Sequence, residues 1–175
     1  MKKKILLTVF ACVVVALSLG LPFAQAQDGE SPIIPVSGTF DYTPTRNYAL
    51  EVDGNTFIDA TEDEIWSGDF EGTSVAPFRV VASPTGMWDA WLLAEFEGVV
   101  LGEHEGTMVI MSTYRKNAAA AHWYGEWMIL SGTGDLATLQ GHGVAWGPGF
   151  NASDPEASPD IYYSGEVVFV EPASE

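Results

Sequence analysis

The sequence predicts an all-β fold, a single closed barrel of about eight antiparallel strands in meander order. Three observations predict it. Apolar and polar residues alternate with the period of a strand in segment after segment. Turn residues separate those segments. On the apolar face aromatic residues alternate with glycine, as in Trp66, Gly68, Phe70 and Gly72 of the stretch Glu64 to Ser74. Small barrels fill a tapering interior with large and small residues in turn, and glycine relieves crowding where a sheet coils tightly. A β-sandwich is the alternative all-β form for the same strand pattern.

The first 26 residues read as a secretory signal peptide: Lys2 to Lys4, an apolar run from Ile5 to Leu21, and the small-x-small site Ala24-Gln25-Ala26. The expected product is secreted, periplasmic or extracellular, with no membrane association after cleavage near Ala26. Cleavage removes Cys12, the only cysteine, so the mature protein relies on a core rather than a disulfide. It also removes three lysines, taking the formal charge from −17 to −20. Arg46, Arg79, Arg115 and Lys116 are then the remaining cations. Nucleic acid is not expected as a partner and anionic membrane surfaces are disfavoured, because both need clustered Lys and Arg.

Residues 27–35 read as a flexible leader and 36–170 as the barrel domain. Val36 to Thr43 makes the first strand, with Val36, Gly38, Phe40 and Tyr42 on one face. Tyr48 to Val52 continues the sheet, and Asp53-Gly54-Asn55 turns the chain. Asp59 to Asp63 is acidic and expected at the surface. Glu64 to Ser74 follows as one strand, then Phe78 to Ser83, closed by Pro84-Thr85-Gly86. Trp88 to Gly98 places Trp88, Ala90, Leu92, Ala94 and Phe96 together, while Trp91 and Leu93 interrupt its polar face. Glu103 to Gly106 reads as a hairpin loop and Thr107 to Tyr114 as a strand. Arg115 to Asn117 reads as a turn.

Ala120 to Ser131 carries Trp123, Gly125, Trp127 and Ile129 on one side. In Gly132 to Gly143, Asp135 is expected to cap a helical turn that directs Leu136 and Leu139 inward. Val144 to Trp146 is a brief strand, Gly147 to Pro159 a proline-rich loop, and Ile161 to Val170 the last strand. Residues 171–175 form a disordered tail.

Three segments carry a resemblance: Ser67 to Ser74; Phe96-Glu97-Gly98 through Gly106 to Val109; and Ser131 to Leu136 through Leu139-Gln140-Gly141. In this order and spacing they resemble a bacterial family of uncharacterised proteins, a domain of unknown function. Its known members form an eight-stranded meander barrel like that of allene oxide cyclase, and the barrel expected here is allene oxide cyclase-like or lipocalin-like. The resemblance spans about Val36 to Val170. It implies a fold and brings no catalytic residues, because the pattern of the cyclase active site is not matched here. The chain departs from the family in its number of tryptophans and in the segment Asp154 to Pro159.

The sequence contains no nucleophile elbow, phosphate loop, His-Glu-x-x-His motif or cysteine pair. His104, His122 and His142 are widely spaced, and no metal site or cofactor is expected. Asp53-Gly54-Asn55 lacks the further ligands of a calcium loop. The best lead is the aromatic face. Phe40, Tyr42, Trp66, Phe70, Phe96, Tyr114, Trp123, Trp127 and Tyr163 converge in the lumen as candidate ligand contacts. An eight-stranded barrel either fills with side chains or holds one small molecule.

The expected function is binding of a small hydrophobic molecule. One alternative is an isomerase or cyclase, with Glu64 and Tyr163 as candidate catalytic groups. Another is a structural or interaction protein with a filled barrel, using Trp91 and Leu93 as an interface.

Overall fold

The computed structural model describes residues 31–117, 119, 122–149 and 161–171. The segment expected to be a signal peptide, most of the expected proline-rich loop and the last four residues lie outside them. Eight strands follow one another: β1 (Ile34–Val52), β2 (Asn55–Gly68), β3 (Phe70–Ala82), β4 (Met87–Val100), β5 (His104–Asn117), β6 (His122–Gly132), β7 (Leu139–Pro148) and β8 (Ile161–Phe169). Each pairs antiparallel with the next, and β1 returns to pair with β8 from Ile34↔Val167 to Phe40↔Ile161. The sheet therefore closes in meander order. A sandwich, with two separate sheets, is excluded.

Several boundaries differ from the sequence expectation. β1 begins at Ile34, inside the expected leader, because its first residues pair with β8. Glu64 to Ser74 is two strands rather than one. The chain reverses at Gly68, whose φ of 104° is open to glycine, and Trp66 pairs with Gly72 across the hairpin. Both arms keep the expected inward parity, so Trp66 and Phe70 are buried from opposite sides of the turn.

The acidic stretch Asp59 to Asp63 lies within β2, and Glu62 is buried rather than exposed. Arg115 to Asn117 continues β5 instead of turning, because Met87 to Asp89 of β4 pairs with it. Gly134–Leu136 forms one 3-10 turn with Leu136 buried, as expected. Its cap position is Thr133 rather than Asp135, and β7 begins already at Leu139. Asp53 and Gly54, both at positive φ, make the two-residue hairpin turn that the sequence suggests.

The two ends of the barrel differ. The β2–β3 and β4–β5 turns and the 3-10 turn between β6 and β7 lie at one end. Val36, Val100, Met108, Leu136, Leu139 and Val167 are all buried there. The β1–β2 and β3–β4 turns lie at the other end. Outside, Trp91 and Leu93 are 49% and 44% exposed.

Candidate functional site

Side chains at inward positions behave in two ways along the barrel axis. Near the end closed by Leu136, rings fill the lumen. Phe70 stacks on Tyr163 at 5.0 Å between centroids, and Trp127 meets Phe70 edge-on at 5.8 Å. Trp66 stacks on Phe40 at 4.4 Å and meets Phe96 edge-on at 6.0 Å. Glycines make room for these rings. A Cβ added at Gly165 would lie 2.5 Å from Trp127 Cζ2, and one at Gly98 would lie 2.8 Å from Phe96 Cζ.

The polar tips of this layer are satisfied. Phe70 N–H donates to Tyr163 Oη at 2.7 Å, and Trp127 Nε1 donates to Val144 O at 3.2 Å. Burial pushes the Tyr163 phenol pKa upward, opposed by that backbone hydrogen bond.

Toward the opposite end the lumen opens into a cavity of about 420 Å³. Its walls are mainly apolar: Phe40, Ile58, Phe78, Val80, Leu92 and Ile161, with Ala60 and Ala90 leaving space. Tyr42, Glu62 and Tyr114 also face it, and Arg46, Trp88, Lys116 and Trp123 contribute to its lining. Four of the nine aromatic residues predicted to contact a ligand line this space: Phe40, Tyr42, Tyr114 and Trp123. Trp66, Phe70, Phe96, Trp127 and Tyr163 stand in the filled layer instead. Phe40 belongs to both, stacking on Trp66 and forming part of the cavity wall.

Between the two regions sits a buried acid pair. Glu62 and Glu64 are two residues apart on β2 and so share its inward face. They are 6% and 1% exposed. Glu64 Oε2 accepts from Trp66 Nε1 at 3.2 Å and from the Ser74 hydroxyl, while Trp66 Nε1 also reaches Ser74 Oγ at 2.8 Å. Glu64 Oε1 faces no permanent donor. The interaction between the two carboxyls raises the Glu62 pKa and lowers that of Glu64.

Burial pushes the Glu62 pKa well above the usual carboxylate range, and the adjacent Glu64 charge pushes it further. Burial also raises Glu64, but its three hydrogen bonds oppose that shift. Glu62 is therefore the member that keeps the proton. The Tyr114 phenol, raised first by burial and then by Glu64, stays neutral beside the pair.

Glu62 escaped the sequence reading because it sits in the acidic stretch Asp59 to Asp63, which looked like a solvated surface. Its parity with Glu64 and Trp66 was the signal available. Glu64 lies below the cavity rather than in its lining, and Tyr163 lies deeper still. The three histidines do not gather. His104 packs on Phe169 and His142 stands 3.7 Å from Glu166. Among the described residues no three His, Cys, Asp or Glu side chains are grouped to hold a metal ion.

Fold and site together define a small meander barrel, packed at one end and hollow at the other, with a polar step between. The chain belongs to the DUF3224 family, described as proteins of unknown function, whose family model matches residues 36–146. A crystal structure of a member of unknown function from Shewanella oneidensis MR-1 superposes with a TM-score of 0.63. It is 19% identical, over 81% of this chain and 100% of that one. An enzyme from Penicillium herquei is more distant, with a TM-score of 0.46 and 16% identity over 78% of this chain and 98% of that one. Comparison with curated protein sequences gives no match.

Proposed function

We propose that this protein binds a small hydrophobic molecule in the open half of its barrel. The observation that carries this reading is the cavity of about 420 Å³ beside a layer of the same barrel packed with rings. Small-molecule sites are concave and mostly apolar, with a few polar groups that fix orientation. Here the Glu62 carboxyl and the hydroxyls of Tyr42 and Tyr114 are the polar groups of the wall. The signal-like N-terminus, Lys2 to Lys4 followed by an apolar run and Ala24-Gln25-Ala26, supports a binder that acts outside the cytoplasm.

The test is native mass spectrometry of protein purified from its own host, with co-purified small molecules identified. It is paired with a titration of apo protein by the neutral fluorophore N-phenyl-1-naphthylamine. A bound apolar compound, or saturable fluorophore binding displaced by one, is the expected result. A clean apo mass with no fluorophore response overturns the reading.

Glu62 favours one second reading, an isomerase or cyclase. A buried carboxylic acid facing an apolar cavity can protonate or polarise a substrate oxygen. That reading requires a compound found in the cavity to be turned over by the protein, and Glu62→Gln to abolish turnover while leaving binding intact.

A further inference from the structure

The mature sequence has four cations, and the fold divides them into two pairs. Arg79 and Arg115 point outward. Arg79 Nε meets Asp59 at 2.7 Å, and Arg115 Nε meets Asp89 at 2.6 Å. Arg46 and Lys116 have the other parity. Arg46 follows Tyr42 and Pro44 on the inward face of β1, and Lys116 follows Tyr114 on the inward face of β5. Both line the cavity, and neither makes an ion pair among the described residues.

This placement is unusual in a chain with 24 Asp and Glu. Lys116 Nζ is held at the cavity wall instead, 4.4 Å from the centre of the Trp88 ring and 4.5 Å from that of Trp123. Ring faces attract an ammonium but do not neutralise it. Burial lowers the Lys116 pKa, as expected for a charge that has lost water without gaining a counter-ion. The carboxyl that faces the same cavity, Glu62, has its pKa raised well above the usual carboxylate range, first by burial and then by Glu64. The charges on the lining are therefore positive.

We infer that the cavity takes an apolar molecule bearing one anionic group, a carboxylate or sulfonate. Its anion sits at Arg46 and Lys116, and its apolar body lies against Phe40, Ile58, Phe78 and Ile161. The inference rests on the binding function proposed above and narrows its ligand class. The whole-chain charge of −17 does not forbid an anion there. Exposed charges farther away than about 8 Å are largely screened at physiological salt, whereas partly buried neighbours are not. A hydrogen bond to a charged partner is also stronger than one between neutral groups.

The probes are decanoate and decan-1-ol, which share a chain and differ in charge. Binding to the mature protein is read by isothermal titration and by the change in total tryptophan fluorescence, to which Trp88 and Trp123 in the lining contribute. Decanoate should bind at least about tenfold more tightly than decan-1-ol, with the preference falling as salt rises. Lys116→Met should remove most of that preference, read as the ratio of the two affinities. Arg46→Met, at an exposed position, tests the same point if Lys116→Met does not fold.

Equal affinity for the two probes, or a preference for decanoate that survives both substitutions, overturns the anion assignment while leaving an open cavity in place. Failure of both probes to bind overturns the cavity reading, and this inference with it.

Discussion

The two halves of this barrel are built from the same strands and are packed differently. In the closed half, Phe70 and Phe96 are 0% and 1% exposed, and their neighbours are other rings. In the open half, Phe78, Trp88 and Trp123 are only partly buried, because one side of each faces the cavity. The difference lies in what stands opposite each large residue. Trp127 in the closed half lies over Gly165 and Gly143, whose missing side chains admit it. In the open half Ala60 and Ala90 also leave space, but no ring enters it. Small residues beneath rings make a core, and small residues without rings above them make a container.

The largest effect that should separate the halves comes from truncating a ring. Trp127→Ala empties a packed layer and should cost about 3–5 kcal/mol, enough to unfold much of the protein. Phe78→Ala only enlarges an existing cavity. It should cost about 1–2 kcal/mol, because part of the side chain's burial is already missing. Urea denaturation of both variants checks the ordering, and equal losses would mean that the cavity is closed in solution.

The polar step between the halves predicts a smaller effect that depends on pH. Glu62 has its folded pKa raised above its ordinary value of 4.5 by burial and by Glu64. Above that ordinary value and below the raised one, the folded state holds a proton that the unfolded chain has released. Stability therefore falls as pH rises through that window. Thermal melts should show a lower Tm at about pH 8 than at about pH 5, with a smaller decline in Glu62→Gln. General repulsion among the many carboxylates contributes to the decline in both proteins, so the difference between them isolates Glu62. A parallel decline in the two would remove Glu62 as the proton holder.

Which residues face inward was legible in the sequence, because side-chain direction alternates with a period of two. Phe40, Tyr42, Glu64, Trp66, Phe96, Tyr114 and Trp127 all point where that period puts them. How high along the barrel each one sits was not legible. Strands in a barrel are tilted and staggered, so a row of paired residues climbs the wall. One such row runs from Ile58 through Val80, Ala90, Tyr114, Gly125 and Ala145 to Tyr163. It starts beside the cavity and ends in the packed layer. Alternation cannot distinguish Tyr114 from Tyr163, yet the first lines the cavity and the second lies under it.

The break at Gly68 was hidden for a related reason. The reversal preserves parity, so a hairpin and a continuous strand give the same inward pattern in Glu64 to Ser74. Glu62 was missed because its surroundings in the sequence are acidic, whereas its burial comes from strands that meet it only in the fold.

The most direct test of a barrel filled at one end and open at the other is a matched pair of substitutions on β4. Ala94 and Ala90 both point inward; Ala94 is fully buried and Ala90 lines the cavity. Denaturation midpoints are measured for Ala94→Leu and Ala90→Leu, together with N-phenyl-1-naphthylamine binding. Ala94→Leu should lose about 1–3 kcal/mol to overpacking. Ala90→Leu should change stability by no more than about 0.5 kcal/mol and reduce fluorophore binding by occupying its space. Equal destabilisation by the two substitutions, with binding unaffected by Ala90→Leu, would contradict the division of the barrel into a core and a container.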